Sequence, residues 1–420
     1  MQKLTLAVLI QAALITSVYA SEQSEAQGFV DGAEGSVVFR TGFLNRDKKE
    51  GATDTSSTAQ TAMVKLDSGF TQGVVGFGAG IIGDASVKLG ENKNAGNGMI
   101  PKHNDGSAYD HWARGGAYVK ARVSNTTAVY GTQILDIPVL ASNTARLVPE
   151  YFEGVLVTSN EIDNLELTAG KFTKNQYSDQ INSDGNKLDR AVVWGAKYKF
   201  NDDLNASYWG TDVKDKLERH YANVNYSHAL NNDAALSLDF SGYHTDFEEG
   251  ASTYSHTTDD LANRQNSIWA ISTAYSKDVH NVSLAYQQNS GNVGYDYGEN
   301  ADGVQSIYLP NSYLSDFVGN DEKSLGLQYN YNFKNHGVPG LNWTSAFVYG
   351  WNIDVRGQDK EGQEREFFNQ VKYTVQNGAM KDTSLRLRHS YLRANDAYRD
   401  AYIGDTNEWR IWLDIPVKLF

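Results

Sequence analysis

The chain lacks cysteine altogether and holds only 6 prolines and 4 methionines in 420 residues. Without cysteine, disulfides and thiolate metal sites are both excluded. Basic residues are in the minority, with 37 Lys and Arg against 51 Asp and Glu, a net charge of −14. A chain this acidic offers no general electrostatic footprint for nucleic acid. Also missing after Ala20 is any apolar run of the 18 or so residues that a membrane helix requires. The mean hydropathy of −0.51 lies where soluble proteins lie.

The first twenty residues are different in kind. Lys3 precedes an apolar stretch from Leu4 to Ile15, and Val18-Tyr19-Ala20 forms a small-x-small cleavage pattern. This predicts a secretory signal peptide, residues 1–20, removed after Ala20. The stretch is too short, and too broken by Gln11, for an anchor. It carries one lysine and no acid, so the mature charge is −14 − 1 = −15.

What is abundant is tyrosine, at 25 residues, and glycine, at 38, within an aromatic share of 12%. Alternation organises them. In "KSLGLQYNYNF", Leu325, Leu327, Tyr329, Tyr331 and Phe333 share one face, and Ser324, Gly326, Gln328, Asn330 and Asn332 the other. The short turn "KNHGVPG" leads to "LNWTSAFVYGW", which alternates likewise. Further pairs are read at Asp189–Phe200 with Leu204–Val213, Tyr221–His228 with Leu236–Tyr243, and Ser267–Tyr275 with Val282–Tyr286. Short turns alternate with long polar segments such as Gly90–Ala113, Glu248–Arg264 and Gly291–Glu322. Long strands, short turns on one side and long loops on the other define an all-β, antiparallel transmembrane barrel of about eighteen strands. The barrel is read over residues 35–420, after a lead-in at 21–34. The terminal Phe420 falls out of phase with Trp409, Ile411, Leu413, Ile415, Val417 and Leu419; a bulge near Pro416 would repair this, but the sequence does not show one.

In a barrel the apolar face meets lipid and the other face meets the lumen. "SLRLRHS" therefore turns Leu385, Leu387 and His389 outward and Arg386 and Arg388 inward. The same reading turns Arg40, Lys372 and Arg410 inward, and barrel closure sets all five on four contiguous strands. Outward arginines at mid-membrane would cost about 2–4 kcal/mol each. Lys120 and Arg122 form a second inward pair beside Tyr118. Facing strands supply Asn223, Asn225, Ser237, Asp239, Ser283, Gln287, Gln328 and Asn330. Cations on one side and hydrogen-bonding groups on the other suit a solute that carries a carboxylate. Arg46 and Arg393 are read as rim residues that bind lipopolysaccharide phosphates.

Other chemistry fits less well. Gly78 to Gly83 matches GxGxxG, but no helix pattern follows; Gly76, Gly78 and Gly80 read instead as a smooth inward face for an infolded loop. His389 and Ser390 are neighbours on a strand and so face opposite sides, which rules out a hydrolytic dyad there. His103 and His111 lack metal-ligand spacing. No cofactor, no metal and no catalytic residue is predicted. The rival to a selective channel is a general diffusion porin.

"VYGTQILDIPVLASNTARLVPEYFEGVLVTSNEIDNLELTAGKFT" (Val129–Thr173) resembles the OprD-type, or Occ, family of substrate-specific outer-membrane channels. So do "GFVDGAEGSVVFRTGFLNRD", "YLPNSYLSDFVGNDEKSLGLQYNYNF" and "QNGAMKDTSLRLR" with "GDTNEWRIWLDIP". The resemblance implies an eighteen-stranded monomer whose third extracellular loop folds inward, and a basic ladder that guides amino acids or aromatic acids. Some relatives also admit carbapenem antibiotics. Carried over, the constricting loop is 134–150, narrowest at Ser142, Asn143 and Thr144, with Arg146 in its "ARLVP" element. The long loop 292–322 adds Tyr308. The ladder is Arg40, Lys372, Arg386, Arg388 and Arg410. Where many relatives have an acid in this run, this chain has Ser142-Asn143-Thr144, which removes that counter-site for a basic amino acid.

Overall fold

The computed structural model describes residues 21–49, 52–90, 98–185, 187–231, 233–251, 263–298 and 307–420. The predicted signal peptide lies outside the described residues. So do Glu50, Asn232, Asp259, Asp260 and parts of the long polar segments (91–97, 252–262 and 299–306).

The chain forms β1 (Glu34–Lys48), β2 (Thr55–Asp67), β3 (Val75–Lys88), β4 (His111–Val123) and β5 (Thr126–Gln133). Then come a small hairpin, β6 (Asp136–Ile137) and β7 (Leu140–Ala141), and β8 (Tyr151–Ile162), β9 (Leu165–Gln176), β10 (Ala191–Lys199) and β11 (Leu204–Val213). The second half comprises β12 (Leu217–Leu230), β13 (Ala234–Phe247), β14 (Gln265–Lys277), β15 (His280–Gly291) and β16 (Lys323–Asn332). It ends with β17 (Leu341–Ile353), β18 (Gly362–Thr374), β19 (Ser384–Ala394) and β20 (Thr406–Lys418).

All but the hairpin strands join one eighteen-stranded antiparallel sheet. It closes where β1 pairs with β20, from Ser36 opposite Lys418 to Lys48 opposite Thr406. Closure gives every strand a partner on both sides, the one way a sheet can satisfy its backbone in lipid. Several strands exceed the predicted spans, as Tyr221–His228 is the middle of β12, whereas β11 matches Leu204–Val213 and β10 stops inside Asp189–Phe200. Alternation marks only the lipid-facing middle, whereas ladder hydrogen bonds continue through the polar ends. Tight turns use left-handed residues that tolerate positive φ, such as Asn164 (φ 64°) and Asp278 (φ 52°).

Outward apolar side chains such as Phe77, Ile271, Leu284, Leu327 and Phe347 are exposed, as a lipid-facing band must be. Aromatic rings border it. Trp269, Tyr286, Trp351 and Tyr349 touch in a row towards the long-loop end. Tyr329, Tyr331, Trp343 and His280 do so towards the short-turn end.

The register runs unbroken past Pro416, which opposes Val38. Beyond Lys418 two residues share one partner: the Leu419 N–H donates to the Gly35 carbonyl at 2.8 Å, and the Gly35 N–H donates to the Phe420 carbonyl at 3.4 Å. The extra residue returns the Phe420 ring to the outer side over Gly35, where a Cβ would sit 2.7 Å from it. One sequence expectation is corrected. The glycine face of β3 does not receive an infolded loop. Gln23 fills the space over Gly76, Lys120 that over Gly78, and Tyr118 that over Gly80.

Glycine and tryptophan interlock reciprocally in β10 and β11. Trp209 lies opposite Gly195, and Trp194 opposite Gly210, with each ring occupying the volume a Cβ would need. Gly195→Val must displace the buried Trp209 ring, at an overpacking cost of about 1–3 kcal/mol. The folded barrel is expected to convert to its unfolded electrophoretic form at a lower temperature than wild type; an unchanged temperature would contradict this packing account.

Candidate functional site

The four strands β18, β19, β20 and β1 are consecutive neighbours, so their inward residues share one wall. Across it, Lys372 stands opposite Arg386, Arg388 opposite Arg410, and Arg40 opposite Asp414. Successive inward residues on a strand are about 7 Å apart. All five predicted ladder cations are therefore brought together.

They are not equivalent. Arg40 grips Asp414 in a two-pronged pair, with Nε–Oδ1 at 2.6 Å and Nη2–Oδ2 at 3.1 Å. Its Nη1 donates to the carbonyls of Arg146 (3.1 Å) and Leu147 (3.3 Å). Arg410 pairs with the buried Glu408 and donates to the carbonyl of Ala145 (3.4 Å). Glu408 also holds Arg46 at 2.7 Å. Arg46 is thus a lumen residue and not a rim residue, because it shares the inward phase of Arg40. Arg386, Arg388 and Lys372 form no ion pair among the described residues. The Arg388 guanidinium lies 4.9 Å from the Phe368 ring centroid, and its buried Nε has no partner.

Residues 134–150 connect β5 to β8 and cross the lumen. One end packs Leu135, Ile137, Val139 and Leu140 into a buried cluster with Phe152, Phe172, Trp209 and Tyr243. There the Tyr243 hydroxyl donates to the carbonyl of Pro138 at 3.0 Å. The other end packs Leu147 and Val148 with Leu44, Met99, Ile100 and Trp412. Around the ring β1-β2-β3-β4-β5-β8-β9-β10-β11-β12-β13, Tyr243 stands ten strands from Arg40 in a circle of eighteen, so the segment touches opposite walls. Burying each such aliphatic side chain is worth about 1.5–3 kcal/mol, so the crossing is held by both ends.

Within this segment Ser142 and Asn143 are buried and bonded inward. Ser142 Oγ accepts the Leu135 N–H at 2.9 Å, and Asn143 Oδ1 accepts the Ala145 N–H at 2.8 Å. Thr144 alone of the three is exposed. Arg146, expected to line the pore, is 4% exposed and lies against Gly98. Its guanidinium lies within electrostatic reach of Arg410, Arg46 and Glu408 of the wall. Tyr308 donates to Asp136 and receives no such burial. Asp136, an exposed acid that the reading of the loop overlooked, thereby joins residues 134–150 to the long segment 292–322.

Lys120 and Arg122 face inward near the short-turn end, but both are engaged. Lys120 bonds Asp67 at 2.8 Å, Arg122 meets Gln23 at 3.2 Å, and Phe70 stacks beneath both. Lys65 and Lys418 escaped the sequence reading. Both oppose Ser36 on the inward phase and are exposed. The alternation of Ala62, Val64 and Leu66 already marked Lys65 as inward. Glu364 and Glu366 were overlooked as well. Glu366 accepts the N–H groups of Leu314 and Ser315, and Glu364 the Ser315 hydroxyl, pinning the long loop to β18. Gln287, read as free lumen lining, donates to the carbonyls of Asp316 and Phe317 in that loop.

A closed barrel of eighteen lipid-facing strands, narrowed by an inward segment and lined by charge, defines a bacterial outer-membrane channel. Residues 27–419 match the family described as "outer membrane porin, OprD family", and the chain belongs to that family of substrate-specific outer-membrane channels. It is 33% identical to Porin D of Pseudomonas aeruginosa, over 96% of this chain and 95% of that protein. Among solved structures, Acinetobacter baumannii OccAB1 matches with TM-score 0.93 and 67% identity, covering 95% of this chain and all (100%) of that one. Pseudomonas aeruginosa OpdK with vanillate matches with TM-score 0.81 and 26% identity, covering 93% and 100%.

Two buried carboxyls steady the loops. Burial pushes Glu150 up to about 7, against the hydrogen bonds it accepts from Asn143 and Asn175. Burial likewise pushes Asp316 up to about 6, against the hydroxyls of Ser312 and Tyr297. A carboxyl raised in the folded state binds its proton better there than in the unfolded chain. The loop stability it supports is complete below the ordinary carboxylate range and is lost as pH rises through about 6 to 7. Amide exchange at 142–151 and 312–318, corrected for its intrinsic rate, is expected to be slower at pH 5 than at pH 8. Equal protection at both would refute the assignment.

Proposed function

We propose that this channel takes up small carboxylate-bearing solutes by passive diffusion: amino acids, organic or aromatic acids, and carbapenem antibiotics of the same charge type. The observation that carries the reading is the division among the five wall cations. Arg40 and Arg410 are committed to acids and to the crossing segment. Arg388, Arg386 and Lys372 keep their charge for a passing anion. A guanidinium presents two parallel donors to a carboxylate, and adjacent rungs about 7 Å apart let the solute bind one before leaving the last. The vanillate held by the related OpdK is itself a carboxylate. Residues 134–150 act as the constriction, with Thr144 and Ala145 at its lumen side, and Tyr308 and Asp136 form its far edge.

The remaining parts follow from the same reading. The chain is exported with its leader 1–20, which is cleaved after Ala20, and works as a monomer surrounded by outer-membrane lipid and lipopolysaccharide. Lys65 and Lys418, unpaired at the short-turn end, receive the anion on its way to the periplasm.

Reconstituted single channels test this. Wild type is expected to pass benzoate in preference to uncharged benzamide, and zwitterionic glycine in preference to cationic glycinamide. Arg386→Ala/Arg388→Ala is expected to lose most of that preference, about tenfold or more for two charge-assisted contacts, and to shift the reversal potential towards cations. Unchanged selectivity and carboxylate block would defeat the ladder reading. A large, non-selective trimeric conductance would favour a general porin.

A further inference from the structure

On the outer face, two arginines of neighbouring strands stand directly opposite each other. Arg365 of β18 pairs in register with Arg393 of β19. Both lie on the lipid-facing phase, with Phe367, Tyr391 and Leu387, near the long-loop ends of their strands. Like charges directly opposite on a sheet destabilise it, and neither arginine forms an ion pair with a carboxylate among the described residues. Arg365 is exposed and forms no ion pair among the described residues. Arg393 donates to neutral groups only: the carbonyls of Leu392 (2.6 Å) and Thr406 (3.3 Å), and Asn407 Oδ1 (2.9 Å). The outward acid whose charge reaches Arg393, Asp47, is itself bonded to Lys49 at 2.5 Å and to Asn407 at 3.1 Å, and Asp405 accepts the Ala394 N–H at 2.7 Å.

Arg393 is also held still. Its guanidinium lies 3.7 Å from the Tyr391 ring centroid, and those three hydrogen bonds fix its plane. Ordering a flexible cation in advance removes part of the entropy cost of binding an anion. One strand step inward, about 7 Å, Phe367 and Tyr391 form a cross-strand aromatic pair that marks the upper edge of the apolar band. The two cations therefore sit at the height where acyl chains give way to headgroups.

We propose that Arg365 and Arg393 form a binding site for one phosphate of the lipid A headgroup of lipopolysaccharide, whose acyl chains lie along Phe367, Tyr391 and Leu387. The phosphate bridges the two guanidinium groups and removes their mutual repulsion. The site rests on the outer-membrane setting and on the lipid contact proposed above, not on the lumen ladder. It extends the rim role predicted for Arg393 and replaces Arg46, which the fold turns inward.

The test uses the full-length folded channel in detergent, with lipid binding read by native mass spectrometry. Bisphosphorylated lipid A is expected to stay bound, and fully dephosphorylated lipid A to bind at least about tenfold more weakly. Arg365→Gln/Arg393→Gln is expected to bring the bisphosphorylated lipid down by a similar factor, and Arg365→Lys/Arg393→Lys to keep most of it. Inorganic phosphate at millimolar concentration is expected not to displace the lipid. Displacement by phosphate alone would make this a free-anion site and overturn the proposal. So would binding of lipid A to the Gln double variant as tight as to wild type. Both variants face away from the lumen and are expected to keep wild-type conductance and carboxylate preference, so the lipid result stands apart from the ladder result.

Discussion

The pairing of β1 with β20 is the constraint on which the rest of this molecule depends. Without it two strands would present unpaired backbone to lipid, where each orphan group costs several kcal/mol. With it, residues at the two ends of the chain become neighbours. Arg40 meets Asp414, and Arg46 meets Glu408, across sequence separations of 374 and 362 residues. The cationic wall is a product of closure, because its members lie on strands from both ends of the chain.

Closure also fixes what the inner wall must hold. Residues 134–150 carry apolar side chains at both ends, and the barrel offers an apolar pad for each. The wall arginines that face this segment give their donors to its carbonyls, which a buried crossing strand-like segment cannot satisfy on its own. Acids on β20 neutralise those same arginines. The charge left over belongs to β18 and β19, beside the clamp and not in it. The committed cations of β20 and β1 and the uncommitted ones of β18 and β19 thus lie one to three strands apart, although the sequence writes them alike.

Legibility in the sequence followed the reach of each interaction. Facing direction is a local property, so Arg386 and Leu387 could be assigned from a few residues, and the strand count followed from alternation and turns. Pairing is not local. Nothing near Arg40 marks it as the partner of Asp414, and nothing near Arg46 turns attention to Glu408. Arg146 shows a related limit: within an irregular loop no period tells which side chains are buried and which are open to the lumen. Phe420 shows the limit of the rule from the other side, since the two-residue period breaks where Leu419 and Phe420 both bond to Gly35. The glycines of β3 were rightly seen as making room, but the occupants, Gln23 and Lys120, come from a lead-in and a neighbouring strand that alternation cannot connect to them.

The free cations occupy one arc of the wall, while Asp239, held by Asn223, Asn225 and Ser241, occupies another a third of the way round. The crossing segment supplies a third side, on which Thr144 and the acid Asp136 are exposed. A cross-section with three unlike sides has no mirror plane, and the field within it points in one direction. On the proposed reading, a zwitterion passing through turns to align with that field before it meets the constriction, and its left- and right-handed forms then present different groups to the third side. The pore is therefore handed as well as charged.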